Sequence, residues 1–392
     1  MYTSKGAIGL SFFLPIFILI FFLKHQAEAS ILLIPSLVVS EEYNDNFHFR
    51  EDEEEDFTTR LSPILTLQYA NAHIVLAVNY RGNATLYVKN KEANGYLQSL
   101  SFDIVLPSLS RTLGGIDIEI TEAIDVIDEL SAIPIGAAAQ ETFRVTGGRA
   151  DATRNRFTLT VGYPWTSLHK TVLTYSNTLV RYQDQTAGIS DFILNGVDIR
   201  ETVALSYRAG LNAGYGVSAT DFKNGSQFTV HRTSLGGQYH INSFFLVYGD
   251  LGASFISGDS RLNSEIGMSN LLEKPQLKMG YIRRVMTREG SSALLNRQVL
   301  FAEAAYSFNT NTVMVLRLDH SQEDGILGVF GKTLYDSAIL TGRTRFLSWL
   351  DGSLSYSFLR RQETDVPIPT DVKSNRISML LTASDPGWKL LD

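Results

Sequence analysis

Arginine is the residue type in this sequence whose placement most directly suggests chemistry. The chain has 23 Arg against 11 Lys, and a guanidinium group binds carboxylate, sulfate and phosphate groups through parallel hydrogen bonds. Five arginines fall on the polar side of alternating segments: Arg81, Arg156, Arg208, Arg317 and Arg376. The pattern predicts a positively charged inner wall that binds an anionic solute. The alternative is that these arginines pair with Asp and Glu across neighbouring strands.

Oxygen ligands are concentrated in one short segment, where Glu41 and Glu42 are followed by Asn44, Asp45 and Asn46. Such a cluster could hold a hard cation such as Ca²⁺. No glycine-turned loop follows, however, and neighbouring residues of a strand point to opposite faces. The spacing therefore favours a polar cluster formed by a strand end and an Asx-type turn. The six acids of 51–56 (EDEEED) predict a solvated loop.

No residue pattern indicates an enzyme, a metal site or a cofactor. The chain has seven His and no Cys, the histidines never fall at metal-ligand spacing, and no Ser lies in a nucleophile elbow. His231 with Ser234 on the outside of a strand is the one hydrolase alternative. The net charge of −7 argues against nucleic acid as a partner.

The N-terminus has the pattern of a secretory signal peptide. Lys5 precedes the apolar run 10–23, and Ala27 and Ala29 form a small-x-small site, which predicts cleavage after Ala29. A retained membrane anchor is the alternative, but fourteen apolar residues are short for the roughly 30 Å hydrocarbon core. The sequence therefore predicts a signal peptide over 1–29 and one mature domain over 30–392.

Period-two alternation dominates the mature sequence. Residues 156–163 (RFTLTVGY) and 353–358 (SLSYSF) place apolar residues on one face and polar or small residues on the other, which is typical of strands. Short and long connections alternate, and aromatic residues gather where strands meet the short turns. The combination predicts an all-β, antiparallel outer-membrane β-barrel with short periplasmic turns and long extracellular loops. The expected strand number is about 16, with 14 and 18 as alternatives; a soluble β-sandwich is the competing fold.

Two segments depart from this rhythm. Residues 121–130 (TEAIDVIDEL) space Ile124, Ile127 and Leu130 by three, which predicts a helical piece in a loop that folds over or into the barrel mouth; a plain external loop is the alternative. Residues 259–296 are ambiguous, because 277–285 is either an extra strand or part of a long loop.

The start of the mature chain resembles a known protein family. Residues 34–47 (IPSLVVSEEYNDNF), followed by an acidic loop and by 62–69 (SPILTLQY), are similar to the opening of an outer-membrane β-barrel family encoded beside exopolysaccharide-biosynthesis and PEP-CTERM sorting systems. The specific match covers about residues 34–69. The resemblance implies a role in exopolysaccharide secretion or surface assembly, and it supplies no catalytic residues.

The sequence and the resemblance together lead to two functional hypotheses. The first is an outer-membrane channel or accessory for export or surface assembly of an anionic exopolysaccharide. The second is a plugged structural barrel that anchors a surface polymer or a partner protein. The expected partners are outer-membrane lipid and lipopolysaccharide, the barrel-insertion machinery, and exopolysaccharide or its secretion apparatus.

Overall fold

The computed structural model describes most of the mature chain. The described residues are 30–47, 49, 51, 53–107, 115–128, 152–182, 190–223, 225–256, 258–270, 272, 274–287, 294–327, 331–364, 369–385 and 387–391. The predicted signal peptide 1–29 lies outside them, as does the part of the predicted mouth loop that follows Asp128.

Within these residues the chain forms one antiparallel sheet of long strands. The strands are β1 (Ser30–Asn44), β2 (Asp56–Ala70), β3 (Val75–Tyr87), β4 (Gly95–Val105), β5 (Asp117–Asp128), β6 (Ala152–Thr166), β7 (His169–Tyr182), β8 (Phe192–Ala204), β9 (Ala209–Phe222), β10 (Gln227–His240), β11 (Phe245–Ile256), β12 (Asp259–Asn270), β13 (Gln276–Thr287), β14 (Leu294–Ser307), β15 (Thr312–Leu327), β16 (Lys332–Leu347), β17 (Leu350–Thr364), β18 (Thr370–Ser384) and β19 (Trp388–Leu391). One 3₁₀ turn, Lys91–Ala93, lies between β3 and β4.

Each strand pairs with its sequence neighbours, and β1 pairs with both β2 and β18, so β1 to β18 close into a barrel. If paired residues are followed from strand to strand around the barrel, one full circuit returns to β1 roughly 22 residues further along that strand. This displacement is the shear number of the barrel. For eighteen strands this corresponds to a tilt of about 40° from the barrel axis and a wall radius of roughly 17 Å. A barrel of this size has room for a water-filled interior.

The two faces of the wall differ because apolar and polar residues alternate along the strands. Side chains directly opposite each other in neighbouring strands share a face, so the register assigns inner and outer faces around the whole circuit. The outer face exposes large apolar side chains such as Leu37, Leu65, Ile199, Leu251 and Leu316. Such a belt is stable against lipid and prone to aggregation in water. The fold is therefore that of a membrane-spanning barrel.

The connections divide between the two ends of the barrel. One end, here called the short-turn end, carries tight turns such as 167–168, 205–208 and 348–349. The opposite end, the long-loop end, carries the connection 45–55 and the connections that include the undescribed residues 129–151 and 183–189. No helix in the described part of the chain is long and apolar enough to cross a membrane.

Over the described residues the barrel has eighteen strands rather than sixteen. Eighteen was one of the alternatives that the sequence left open. The ambiguous segment 259–296 supplies two strands, β12 and β13, with a further strand beginning at Leu294. The helix predicted from residue 121 is wrong over the described residues, because they continue β5 to Asp128. Ile120 and Ile124 lie on the outer face and Asp125 on the inner face; the polar Glu122 interrupts the outer apolar series and conceals the period of two.

The end of the chain closes the seam between the first and last strands. After Ser384 the backbone bends, and β19 pairs with Ile31–Leu33 below the part of β1 that pairs with β18. Gly387 has φ 108°, and a Cβ at that position would lie 2.7 Å from the side chain of Leu32. Glycine is needed there, because other residues tolerate neither that φ nor the contact.

Candidate functional site

The inner wall of the barrel is the candidate site, and four of the five predicted arginines lie on it. Register places Arg81, Arg156, Arg317 and Arg376 on the inner face. Arg208 is not on the wall. The strand that was predicted to carry it, β8, ends at Ala204, and Arg208 lies in the following turn with its guanidinium 5.2 Å from the ring centroid of Tyr207.

Two of these arginines are paired with acids from the same wall. Arg156 Nη2 lies 3.0 Å from Asp125 Oδ2, and Arg317 Nε lies 2.9 Å from Asp319 Oδ2 and donates a hydrogen bond to it. Arg317 Nη1 also lies 3.5 Å from Glu303 Oε2. Further inner-face pairs are Arg60–Glu42 (3.4 Å), Arg284–Glu265 (3.8 Å), Arg297–Glu323 (3.7 Å) and Arg361–Glu363 (3.5 Å). The barrel interior thus carries ion pairs more than a continuous ladder of free cations.

The two remaining arginines, Arg81 and Arg376, make no ion pair with any described residue. Arg81 is exposed to the barrel interior. The Nε of Arg376 is buried and has no hydrogen-bond partner among the described residues. A guanidinium with unused donors is suited to a carboxylate or sulfate in the lumen.

A hairpin folded into the barrel narrows its long-loop end. β12 pairs with β13 only over 264–269 and 278–283, so the top of β13 leaves the wall after Arg283. There, the backbone N–H of Val285 donates a 3.3 Å hydrogen bond to Oδ1 of Asn263, an inner-face side chain of β12. Leu294 and Leu295, adjacent residues of β14, are 0% and 3% exposed. A wall strand bordering lipid and water would not bury both of its faces, so this hairpin, 284–287 and 294–297, lies inside the barrel and is called the inward hairpin.

The inward hairpin packs on apolar side chains at the mouth of the lumen. One buried cluster, here called the mouth cluster, joins Val285 and Leu294 to inner-face residues near the long-loop end of six strands: Ala152, Val180, Tyr182, Phe192, Phe222, Phe228, Val230 and Ile256. The sequence pattern did not predict this element; the expected constriction was instead the loop with the helical piece at 121–130. A signal was present: in β10 the apolar residues Phe228 and Val230 have inner-face parity, whereas Leu235 and Tyr239 have outer-face parity.

The oxygen-rich segment 44–46, expected to form a polar cluster at a strand end, fastens the barrel closure. Asp45 accepts hydrogen bonds from the backbone N–H (2.6 Å) and the Nδ2 (2.7 Å) of Asn375 in β18. Asn44 Oδ1 accepts from Ser374 Oγ at 2.8 Å, and Asn46 Nδ2 donates to a backbone carbonyl of β18 at 2.9 Å. The side-chain oxygens of Asn44 and Asp45 are therefore engaged by donors from β18. No group of three His, Asp or Glu side chains among the described residues is placed to hold a metal ion.

An ion pair outside the wall orders the first long connection. Glu55 accepts from Lys89 Nζ at 2.6 Å and from Tyr43 Oη at 3.0 Å. The hydrogen bond from Lys89, reinforced by that from Tyr43, holds the pKa of the Glu55 carboxyl below its ordinary value. Next to it, the fully buried Asp56 accepts from the backbone N–H groups of Val88 and Asn90, which ties the first two long connections together.

The hydrolase alternative lacks the geometry it requires. His231 lies on the outer face, where its Nδ1 is 2.8 Å from Tyr215 Oη, whereas Ser234 lies on the inner face. The wall separates the two side chains, so Ser234 and His231 cannot form a nucleophile–base pair.

No family model and no curated protein sequence matches the chain. Among solved structures, OccK2 (OpdF) of Pseudomonas aeruginosa has a TM-score of 0.52 at 10% identity, covering 92% of this chain and 98% of that one. OpdQ of the same organism has a TM-score of 0.49 at 9% identity (92% and 99% covered), and the siderophore receptor PirA from Pseudomonas aeruginosa 0.47 at 9% (90% and 80% covered). The similarity to OccK2 shows a shared outer-membrane barrel fold.

Proposed function

We propose that this chain is an outer-membrane channel that acts in the export or surface assembly of an anionic exopolysaccharide. The resemblance of residues 34–69 to a barrel family associated with exopolysaccharide and PEP-CTERM systems supports the substrate class. The polar inner wall supports a path for a hydrated, charged chain, since weak sites of opposite charge let a polymer enter and leave.

The observation that carries the proposal is a surplus of positive charge at the short-turn entrance. Arg343 and Arg345 share one carboxylate, Asp351, at 3.7 Å and 3.3 Å, and both arginine side chains are more than half exposed (65% and 59%). One carboxylate cannot neutralise two cations, so this group of three side chains at the entrance keeps an excess positive charge. With Arg81 and Arg376 deeper in the lumen, this arrangement attracts an anion that arrives from the periplasm.

Recordings from the purified barrel in planar bilayers test the channel. We expect single-channel currents that are blocked by uronic-acid oligosaccharides added at the short-turn side and much less by neutral dextrans of equal length. R343Q/R345Q should raise the concentration needed for half-block, and R360Q is the matched control, because Arg360 lies on the outer face near the long-loop end. Block that is equal for charged and neutral chains would contradict the proposed substrate class.

A plugged barrel that anchors a surface polymer or protein is the second candidate. The mouth cluster favours it, because ten mutually packed apolar side chains, two of them from the inward hairpin, form a dry region at the long-loop end. Two results together would favour this candidate over the channel. The purified barrel would carry no current under any condition, and cells whose barrel lacks the connections at the long-loop end would lose the surface polymer.

The proposed cellular setting follows from the same fold. The signal peptide 1–29 would be cleaved after Ala29 on export, and the barrel-insertion machinery would place the mature chain in lipid and lipopolysaccharide. The exposed Trp388 of β19, opposite Leu33 at the short-turn end, would lie at the periplasmic interface, where Trp is favoured. Mass measurement of the mature N-terminus tests the cleavage site.

A further inference from the structure

An ionisable side chain faces outward in the middle of the apolar belt. Glu122 of β5 lies on the outer face between Ile120 and Ile124, and its direct partners on the neighbouring strands are Phe102 and Phe157. Lipid tails offer no hydrogen bond to a carboxylate, so ionisable residues on a lipid-facing surface are rare and indicate a functional contact.

Glu122 belongs to a row of polar side chains on the same face. Asn155 Nδ2 donates to Glu122 Oε1 at 3.1 Å, and Asn177 Nδ2 donates to Asn195 Oδ1 at 2.8 Å. Together with the exposed Gln98 of β4, these side chains form the polar stripe: Gln98, Glu122, Asn155, Asn177 and Asn195. With strands tilted by about 40°, the stripe spans roughly 10 Å in height over five adjacent strands.

The stripe lies within the belt and not above it. On the same face of their strands, Asn177 is followed toward the long-loop end by Leu179, and Asn195 by the exposed Ile193. An apolar rim thus lies between the stripe and the polar surface beyond it.

The stripe has hydrogen-bonding capacity that the barrel does not use. The Glu122 side chain accepts one bond from a described residue, although a carboxylate can accept about four; it forms no ion pair with a described base. The Asn155 and Asn177 amides each use one Nδ2 hydrogen in the bonds given above, and an amide nitrogen carries two. An occupant of this surface must therefore supply donors and acceptors within the membrane.

We propose that the polar stripe is the contact surface for a second copy of this chain in the membrane. Amide side chains donate and accept, so the stripe is complementary to itself, as a two-fold interface requires. A two-fold axis parallel to the membrane normal and passing in front of the β6–β7 pair brings Asn155 and Asn177 of each copy opposite those of the other. The amides of the second copy then supply the donors that Glu122 lacks.

The absence of cysteine from the chain makes a direct test possible. N177C introduces one thiol beside the proposed axis, and L318C introduces one on the far wall, since Leu318 is an outward residue of β15 at about the same height. In lipid vesicles under oxidising conditions, we expect N177C to form a cross-linked species of twice the chain mass and L318C to stay monomeric. Equal cross-linking of both variants, or none for N177C, overturns the proposal, as does cross-linking of N177C in cell membranes to a protein of another mass.

A second measurement separates contact from mere proximity. E122L combined with N155L should lower the association constant of the dimer roughly tenfold or more in detergent. E122Q keeps the size of the side chain and its ability to form hydrogen bonds, and should lower that constant less. The double variant should still fold, because apolar residues suit a lipid-facing position. A folded E122L/N155L barrel that dimerises as strongly as the parent overturns the proposal.

Discussion

Replacing Leu294 with Ala is expected to release the inward hairpin and widen the mouth of the barrel. Leu294 is fully buried in the mouth cluster, which joins the hairpin to the inner wall. On one side the hairpin is fastened to β12 by the bond from Val285 to Asn263, because β12–β13 pairing stops at Arg283; on the other side, 294–297 remain paired with 323–327 of β15. The substitution therefore weakens docking of the hairpin without removing any pairing of the wall.

The magnitude follows from the burial of this side chain. A fully buried Leu→Ala change costs about 2–5 kcal/mol, the larger value where the site cannot collapse. If the whole cost falls on docking, the ratio of docked to undocked hairpin changes by roughly 30-fold to 4,000-fold, since 1.4 kcal/mol is tenfold. A hairpin that is docked nearly all the time in the parent would then be open for a measurable fraction of the time.

Single-channel recording measures this change directly. We expect L294A to show larger or more frequent open events than the parent, with faster amide exchange over 294–299. The control is L300A, on the same strand but exposed on the outer face, which should leave the currents unchanged. If amide exchange shows an undocked hairpin while the currents stay those of the parent, the hairpin does not form the constriction and our reasoning is wrong.

Three further results are expected. D45A should lower the free energy of unfolding by about 2–4 kcal/mol in urea titrations, because two hydrogen bonds to a carboxylate at the β1–β18 closure are lost. Between pH 7 and pH 3, the difference in thermal midpoint between the parent and E55Q should be present above the ordinary Glu pKa and vanish as the pH falls through the lowered pKa of Glu55. R317Q should move the reversal potential toward cation selectivity, because Asp319 and Glu303 lose their partner.

Each of these results has its own control. E53A changes an exposed acid of the same loop as Asp45 and should leave the urea midpoint in place; an equal loss in both variants would mean that the closure bonds contribute nothing. For Glu55, a difference that persists at pH 3 would exclude the ion pair as its source. For Arg317, R360Q should leave selectivity unchanged, and a shift toward anions in R317Q would contradict the assigned charge of the lumen.

Alternation alone was enough to predict the barrel and most of its strands. In β17, Ser355 and Ser357 flank Tyr356, and the structure places the serines inside and the tyrosine outside. Alternation is a reliable signal here because successive side chains of a strand in the barrel wall face lipid and the water-filled lumen in turn. The prediction was wrong where a residue breaks that rule, as at Glu122, whose polarity on the outer face made β5 resemble a helix.

The candidate site was predicted in part. Side-chain parity identified four inner-face arginines but could not fix where a strand ends, and so Arg208 was placed on the wall instead of in a turn. Parity also could not show which acid each arginine meets, because Arg156 and Asp125 are brought together by the pairing of β5 with β6 across a 31-residue separation.

By itself, the sequence determined the fold class and the faces of residues in the clearly alternating segments, since both depend on local alternation of polar and apolar residues. Only the tertiary structure decided that the inward hairpin leaves the wall after Arg283, that the 44–46 segment holds the first strand to the last, and that four separate strands join Glu122 to three asparagines on one outward surface. The physical reason is the same in each case: these features arise from registers and contacts between distant segments, which become defined only when the ring of strands closes.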